Sequence, residues 1–160
     1  MLEPRPTGDI PSVAPAWTGV HDMNCTVLVV DDDDVALEAV LRSFARHQVP
    51  CPQLTAGDGA EALLILQGRH PSKRVETPVI VLLDLNMPNM DGFQFLHALR
   101  GDAALARTVV FILTTSGRDH DRSRAYDEHV AGYMVKSAVG PQFSQLAQFI
   151  SKYACTQNLP

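Results

Sequence analysis

The stretch Cys25–Asp34, CTVLVVDDDD, decides how the rest of the chain is read. Its first six residues are uncharged and mostly aliphatic, and four aspartates follow without a break. A short apolar run stopped abruptly by acid is the pattern of a strand buried on both faces of a parallel sheet. The aspartates also open the next segment. DVALEAVLRSFARHQ (34–48) spaces its apolar residues helically, starts on Asp and carries basic residues near its end, as the helix dipole favours.

The same alternation continues downstream. CPQLTA (51–56) reads as a second strand and GDGAEALLILQGRH (57–70) as a helix capped by Asp58, followed by the polar loop PSKRVETP (71–78). PVIVLLDL (78–85) is the third strand, NMPNMDG (86–92) a turn, and Phe93–Leu99 a helix. Asp91 and Gly92 read as turn and helix-start residues. TVVFILTT (108–115) is the fourth strand, the polar segment Asp119–Val130 a helix, and AGYMVK (131–136) the fifth strand. PQFSQLAQFISKYA (141–154) closes the series as a helix with Pro in its first turn. Five strands alternating with five helices predict an α/β fold, a doubly wound parallel sheet covered on both faces. Residues 1–23 are Pro-rich and aperiodic and are expected to form a flexible arm, with one domain over 24–153 and a tail over 154–160.

Composition agrees with a single domain. The chain has 160 residues, 46% hydrophobic and 19% charged, enough to bury a sizeable core. A net charge of −5 with scattered Lys and Arg gives no electrostatic reason to bind nucleic acid or an anionic membrane. The longest apolar runs, VLVV and VIVLL, are too short to span a bilayer, and the prolines of the first segment do not suit a signal peptide, so a cytoplasmic location is expected. Cys25, Cys51 and Cys155 form no CxxC pair and no Cys/His metal spacing. Cys25 and Cys51 begin strands expected to be neighbours, yet in a cytosol they are expected to be reduced.

In an open parallel sheet, function collects beyond the carboxyl ends of the strands. Here VLVV ends in Asp31 and Asp32, VIVLL in Asp84, FIL in Thr114 and YMV in Lys136. Charges set directly against apolar strands need partners. Three carboxylates about 5 Å apart, at an effective dielectric near 20, repel by ~3 kcal/mol per pair. A cation relieves this, and an all-oxygen donor set with few protein ligands favours Mg²⁺. Lys136 and Thr114 add an ammonium and a hydroxyl. A carboxylate nucleophile, a divalent ion, an ammonium and a hydroxyl are the parts that phosphoryl transfer requires. Asp33 and Asp34 read more simply as the cap and first-turn acid of the first helix.

Taken in order, VLVVDDDD, LLDLNMPNMDG, ILTTS and GYMVK resemble the diagnostic segments of response-regulator receiver domains, over about residues 24–153. The resemblance implies a flavodoxin-like sheet of order 2-1-3-4-5. It also implies that Asp84 accepts phosphate from a sensor histidine kinase, and that Asp31, Asp32, Asp84 and the carbonyl of Asn86 hold Mg²⁺. Lys136 and Thr114 would contact the phosphoryl oxygens, and Tyr133 would be an aromatic switch that biases the surface read by a downstream protein or phosphotransfer partner. LTTS, the longer loop before PVIVLLDLN, and AYDEHVAGY look most like the single-domain regulators of bacterial and cyanobacterial phytochromes. That subgroup suggests a homodimer through the fourth helix, fifth strand and fifth helix, where Phe149 flanks a core stripe of Phe143, Leu146, Ala147 and Ile150. Ser137 departs from the family, which usually has Pro there; a cis bond before Ser costs about 3 kcal/mol.

Two other readings compete. Asp31-x-Asp33-x-Val35 matches the nucleophile motif of haloacid-dehalogenase-type phosphatases, with Thr114 and Lys136 imitating later motifs. That reading needs an acidic pair after Lys136, where the sequence has none, and leaves Asp84 idle. A phosphorylation-independent pseudo-receiver would lack an acid, the acceptor or the lysine, and all are retained.

Overall fold

The computed structural model describes residues 25–76, 78–156 and 159–160, and the arm expected over 1–23 lies outside them. Five parallel strands, β1 (Thr26–Val30), β2 (Gln53–Ala56), β3 (Val79–Leu83), β4 (Val109–Thr114) and β5 (Gly132–Val135), stand in the order 2-1-3-4-5. Between and after them run α1 (Asp34–Arg46), α2 (Gly59–Leu66), α3 (Gly92–Gly101), α4 (Asp119–Asp127) and α5 (Ser144–Thr156). The expected flavodoxin-like α/β architecture is therefore present.

The twofold periodicity of the strands divides the core in two. Leu28, Val30, Val81, Leu83 and Ile112 face α2 and α3, packing with Ala62, Ile65, Phe95, Leu96 and Leu99. Val27, Val29, Ile80, Leu82, Phe111 and Leu113 face the other way, onto Leu37, Val40 and Phe44 of α1 and Leu146, Ala147 and Ile150 of α5. All five residues of β1 and of β3 are buried, as continuous apolar runs require.

Register then places the ends. Val30 lies beside Ala56 and Leu83, so Asp31 and Asp84 emerge next to one another. The Asp31 amide donates to the Ala56 carbonyl at 3.0 Å and the Asp84 amide to the Val30 carbonyl at 2.9 Å. Thr114 is paired with Val135, which brings Lys136 to the same edge. Gly92 permits a close approach here: a Cβ would sit 2.6 Å from the Asp84 carbonyl oxygen and 2.7 Å from Leu85 Cα. Asp91 caps α3 in a reciprocal capping box with Gln94, and Asp33 and Asp58 cap α1 and α2 by accepting from the amides of Val35 and Glu61.

Some boundaries differ from expectation. α4 stops at Asp127, and the chain turns through His129 in the left-handed region (φ 58°). Pro141–Phe143 form a separate 3₁₀ turn in which Gln142 (φ 51°) and Phe143 (φ 59°) are left-handed, and α5 begins only at Ser144. Two such non-glycine residues in succession persist only where their surroundings fix them. The buried Ser43 hydroxyl of α1 does so by donating to the Phe143 carbonyl at 3.1 Å.

One expectation is corrected. Cys25 and Cys51 are joined in a disulfide, with Cα atoms 5.3 Å apart, instead of standing as reduced fillers. Cys25 directly precedes β1 and Cys51 lies two positions before β2, its paired strand, and both are buried in the core layer that includes Val27 and Phe44. The pairing of β1 with β2 brings the two cysteines within bonding distance. Outside β2, Lys73 of the connection to β3 donates to the Thr55 carbonyl at 2.7 Å and to Glu61 at 2.8 Å. Among the described residues no helix is long and apolar enough to cross a membrane.

Candidate functional site

The carboxyl edge of the sheet gathers the residues expected there. Asp31, Asp32 and Asp84 each offer an oxygen, and these oxygens lie within 4.8 Å of one another. Asp31 and Asp84 are buried, whereas Asp32 faces solvent. Asp31 Oδ1 accepts the Asp33 amide at 2.9 Å, which ties the acidic loop to the start of α1. Lys136 Nζ donates to Asp31 Oδ2 at 2.5 Å and stands 3.7 Å from Asp84 Oδ2. The lysine, 105 positions from Asp31, thus ties the end of β5 to that of β1. Met87, buried beneath the turn after β3, leaves Asn86 exposed two residues beyond Asp84.

The charges are not balanced. Burial, and next the Asp31 carboxylate, push the Asp84 carboxyl above its ordinary value, offset in part by Lys136, the Thr114 hydroxyl and the Asn86 amide. Burial pulls the Lys136 ammonium down, but the Asp31 hydrogen bond and the charges of Asp84, Asp31 and Asp33 more than compensate and hold it above the usual range. Asp84 Oδ1 is buried and finds no hydrogen bond of ordinary geometry. A buried carboxylate oxygen without a partner is costly, so it marks a place built for a further ligand. The all-oxygen donor set fits a hard divalent cation.

Thr114 is fully buried at the end of β4, and its hydroxyl accepts the Ser116 amide at 3.4 Å. Tyr133 lies on the other side of the same loop. Its hydroxyl donates to the Ser116 carbonyl at 2.8 Å, and the Arg122 guanidinium sits 5.4 Å from the ring centroid. Ser116 stands in the ILTTS segment, but its bond to Asp121 beside Tyr133 is not legible there, because an acid in the first turn of a helix reads as a complement to its dipole.

Comparison with known proteins agrees with this geometry. Residues 27–148 match the response regulator receiver domain family, and the chain belongs to it. Receiver domains of this family are signalling modules of two-component systems, not metabolic enzymes. The chain is 31% identical over 127 residues to the probable methanogenesis regulatory protein FilR2 of Methanothrix harundinacea, covering 79% of this chain and 81% of that protein. It is 28% identical over 127 residues to the response regulator Rcp1 of Synechocystis, covering 79% and 86%. The Mn²⁺-bound form of Rcp1 superposes with a TM-score of 0.72 at 27% identity, over 84% of this chain and 98% of that one. The phosphorylated cyanobacterial phytochrome response regulator RcpA does so with a TM-score of 0.72 at 30% identity, over 84% and 97%. Neither the phosphatase nor the pseudo-receiver reading is favoured beside these relatives.

Proposed function

We propose that Asp84 is the phosphoryl acceptor of this receiver. The observation that carries the reading is the buried Asp84 Oδ1, unpartnered beside Asp31 and Lys136. An Asp84 oxygen would form the new P–O bond as the P–N bond to a kinase phosphohistidine breaks and the imidazole leaves. Mg²⁺, bound by Asp31, Asp32, Asp84 and the Asn86 carbonyl, supplies charge neutralisation for the phosphoryl oxygens. Lys136 would exchange part of its contact with Asp31 for a phosphoryl oxygen, and the Thr114 hydroxyl would donate to another. The domain would catalyse its own phosphorylation and slow hydrolysis and no metabolic reaction. Likeness to the Mn²⁺-bound form of Rcp1 supports a divalent ion in this place.

Likeness to RcpA, a phytochrome response regulator, supports a phytochrome-type histidine kinase as donor. A cytoplasmic location and output to a separate protein or phosphotransfer partner complete the reading. Tyr133 would act as the aromatic switch of the surface formed by β4, α4, β5 and α5. On that surface Phe149 and Tyr126 are exposed beside an open hollow of about 380 Å³ lined by Phe111, Met134 and Leu146, a face suited to a homodimer.

The test is incubation with acetyl phosphate and Mg²⁺ followed by intact mass and peptide mapping. The chain gains one phosphoryl group on Asp84, and Asp84→Asn gains none. An unmodified mass together with no Mg²⁺ affinity overturns the reading. Light scattering with and without beryllofluoride tests the dimer, which a monomer mass in both states refutes.

A further inference from the structure

α4 is weakly held. Within it only Ala125 is buried, and Arg118, at the capping position before it, makes no side-chain cap. Elements with so little apolar contact are the ones that open locally. The helix start is fastened instead by one strong bond. The Ser116 hydroxyl donates to Asp121 Oδ2 at 2.6 Å, a charge-assisted contact in which the Asp121 side chain is only 13% exposed. Arg118 Nε lies 3.4 Å from the same oxygen. The Ser116 hydroxyl, before the nearby Arg118, holds the Asp121 carboxyl below its ordinary value, so it is ionised at neutral pH.

Ser116 is the hub of the loop after β4. Its amide reaches Thr114 Oγ1, its carbonyl accepts from Tyr133, and its hydroxyl is bound to Asp121. Fixing Ser116 therefore fixes both the threonine at the acceptor site and the tyrosine at the output face. We propose that Asp121 is a positioning residue that latches this loop, and so holds both Thr114 and Tyr133 in the arrangement seen here. This rests on Asp84 as acceptor only for its effect on phosphate binding. When the binding-competent arrangement is already populated, a ligand has no ordering cost to meet, and its apparent affinity falls by the competent fraction once the latch is removed.

The test uses the full chain labelled with 3-fluorotyrosine, with the Tyr133 signal assigned by Tyr133→Phe. Without any phosphate mimic, Asp121→Ala and Ser116→Ala each shift the Tyr133 resonance and raise amide exchange at 115–118. The double variant adds nothing further, and Asp121→Asn, which still accepts from Ser116, stays near the parent. Loss of a simple helix cap lowers the melting temperature but leaves the Tyr133 signal in place, and that result overturns the proposal. Should Asp121→Ala fail to fold, Ser116→Ala decides by the same signal. With saturating Mg²⁺, Asp121→Ala binds beryllofluoride about tenfold more weakly, the effect of one hydrogen bond to a charged group, at unchanged Mg²⁺ affinity. Equal beryllofluoride affinity in parent and variant overturns the coupling to the acceptor. If the parent itself takes up no beryllofluoride, the acceptor reading fails, while the latch stands or falls on the Tyr133 signal alone.

Discussion

Reducing the Cys25–Cys51 bond should weaken the fold without touching the phosphorylation chemistry. The two cysteines are 26 positions apart, and chain-entropy arguments assign about 3.5 kcal/mol to closing a loop of that size in the unfolded state. A protein of this size loses about 2–4 °C of melting temperature per kcal/mol, so reduction should lower the midpoint by roughly 10 °C. Reduction of the intact chain is cleaner than substitution, because Cys→Ala would also leave a small void in a buried layer. The assay is scanning calorimetry with and without a dithiol reductant. Alkylation and mass analysis should show that only Cys155 reacts in the unreduced, denatured chain and all three cysteines after reduction. The bond joins residues that precede β1 and β2, whereas the aspartates follow the strands, so beryllofluoride affinity at low temperature should be the same in both states. Coincident melting curves, or three reactive thiols before reduction, would refute the reasoning.

Asp84→Asn should raise stability by about 1 kcal/mol in metal-free buffer while abolishing phosphorylation, since burial and Asp31 disfavour the ionised carboxylate; thermal melts in chelator check it. Added Mg²⁺ should then stabilise the parent more than the variant, as mass action on a native-state site requires. Gly92→Ala should cost about 2–3 kcal/mol and slow acetyl-phosphate labelling, because the new methyl would press on the Asp84 carbonyl; unchanged denaturation midpoints would contradict this. Glu61 is partly buried, which raises its carboxyl, but the Gly57 amide and Lys73 outweigh that and hold it below 4.5. Its stabilisation is therefore complete above pH 4.5 and lost as pH falls through the lower folded value, so the melting difference between the parent and Glu61→Gln should shrink across that acid range.

The parallel sheet was legible because β1 and β3 are apolar on both faces and end in acid, which marks buried strands and their polarity, whereas the order 2-1-3-4-5 followed from the resemblance to receiver domains. The site was legible for the same reason: Asp31, Asp84, Thr114 and Lys136 each follow or close a strand, and a parallel register brings such ends together. What was not legible depends on contacts between distant segments. Nothing in Gln142 or Phe143 announces positive φ, and the Phe143 carbonyl finds its partner in Ser43, a hundred positions earlier. The closeness of Cys25 and Cys51 was legible from their neighbouring strand starts, but the bond between them was not, because the cytosol expected for the chain favours thiols. The Ser116–Asp121 bond escaped because helix N-terminal acids are common for general electrostatic reasons.

The lysine outside β2 has a consequence for crowding. A terminal strand offers a row of backbone groups to any similar chain that drifts alongside, and unguarded borders of this kind seed fibrils. With Thr55's oxygen already engaged by an ammonium, and a carboxylate and histidine clustered next to it, an incoming copy meets charge where it needs free amide partners. Addition of a further strand along that flank would first have to displace the ammonium from Thr55.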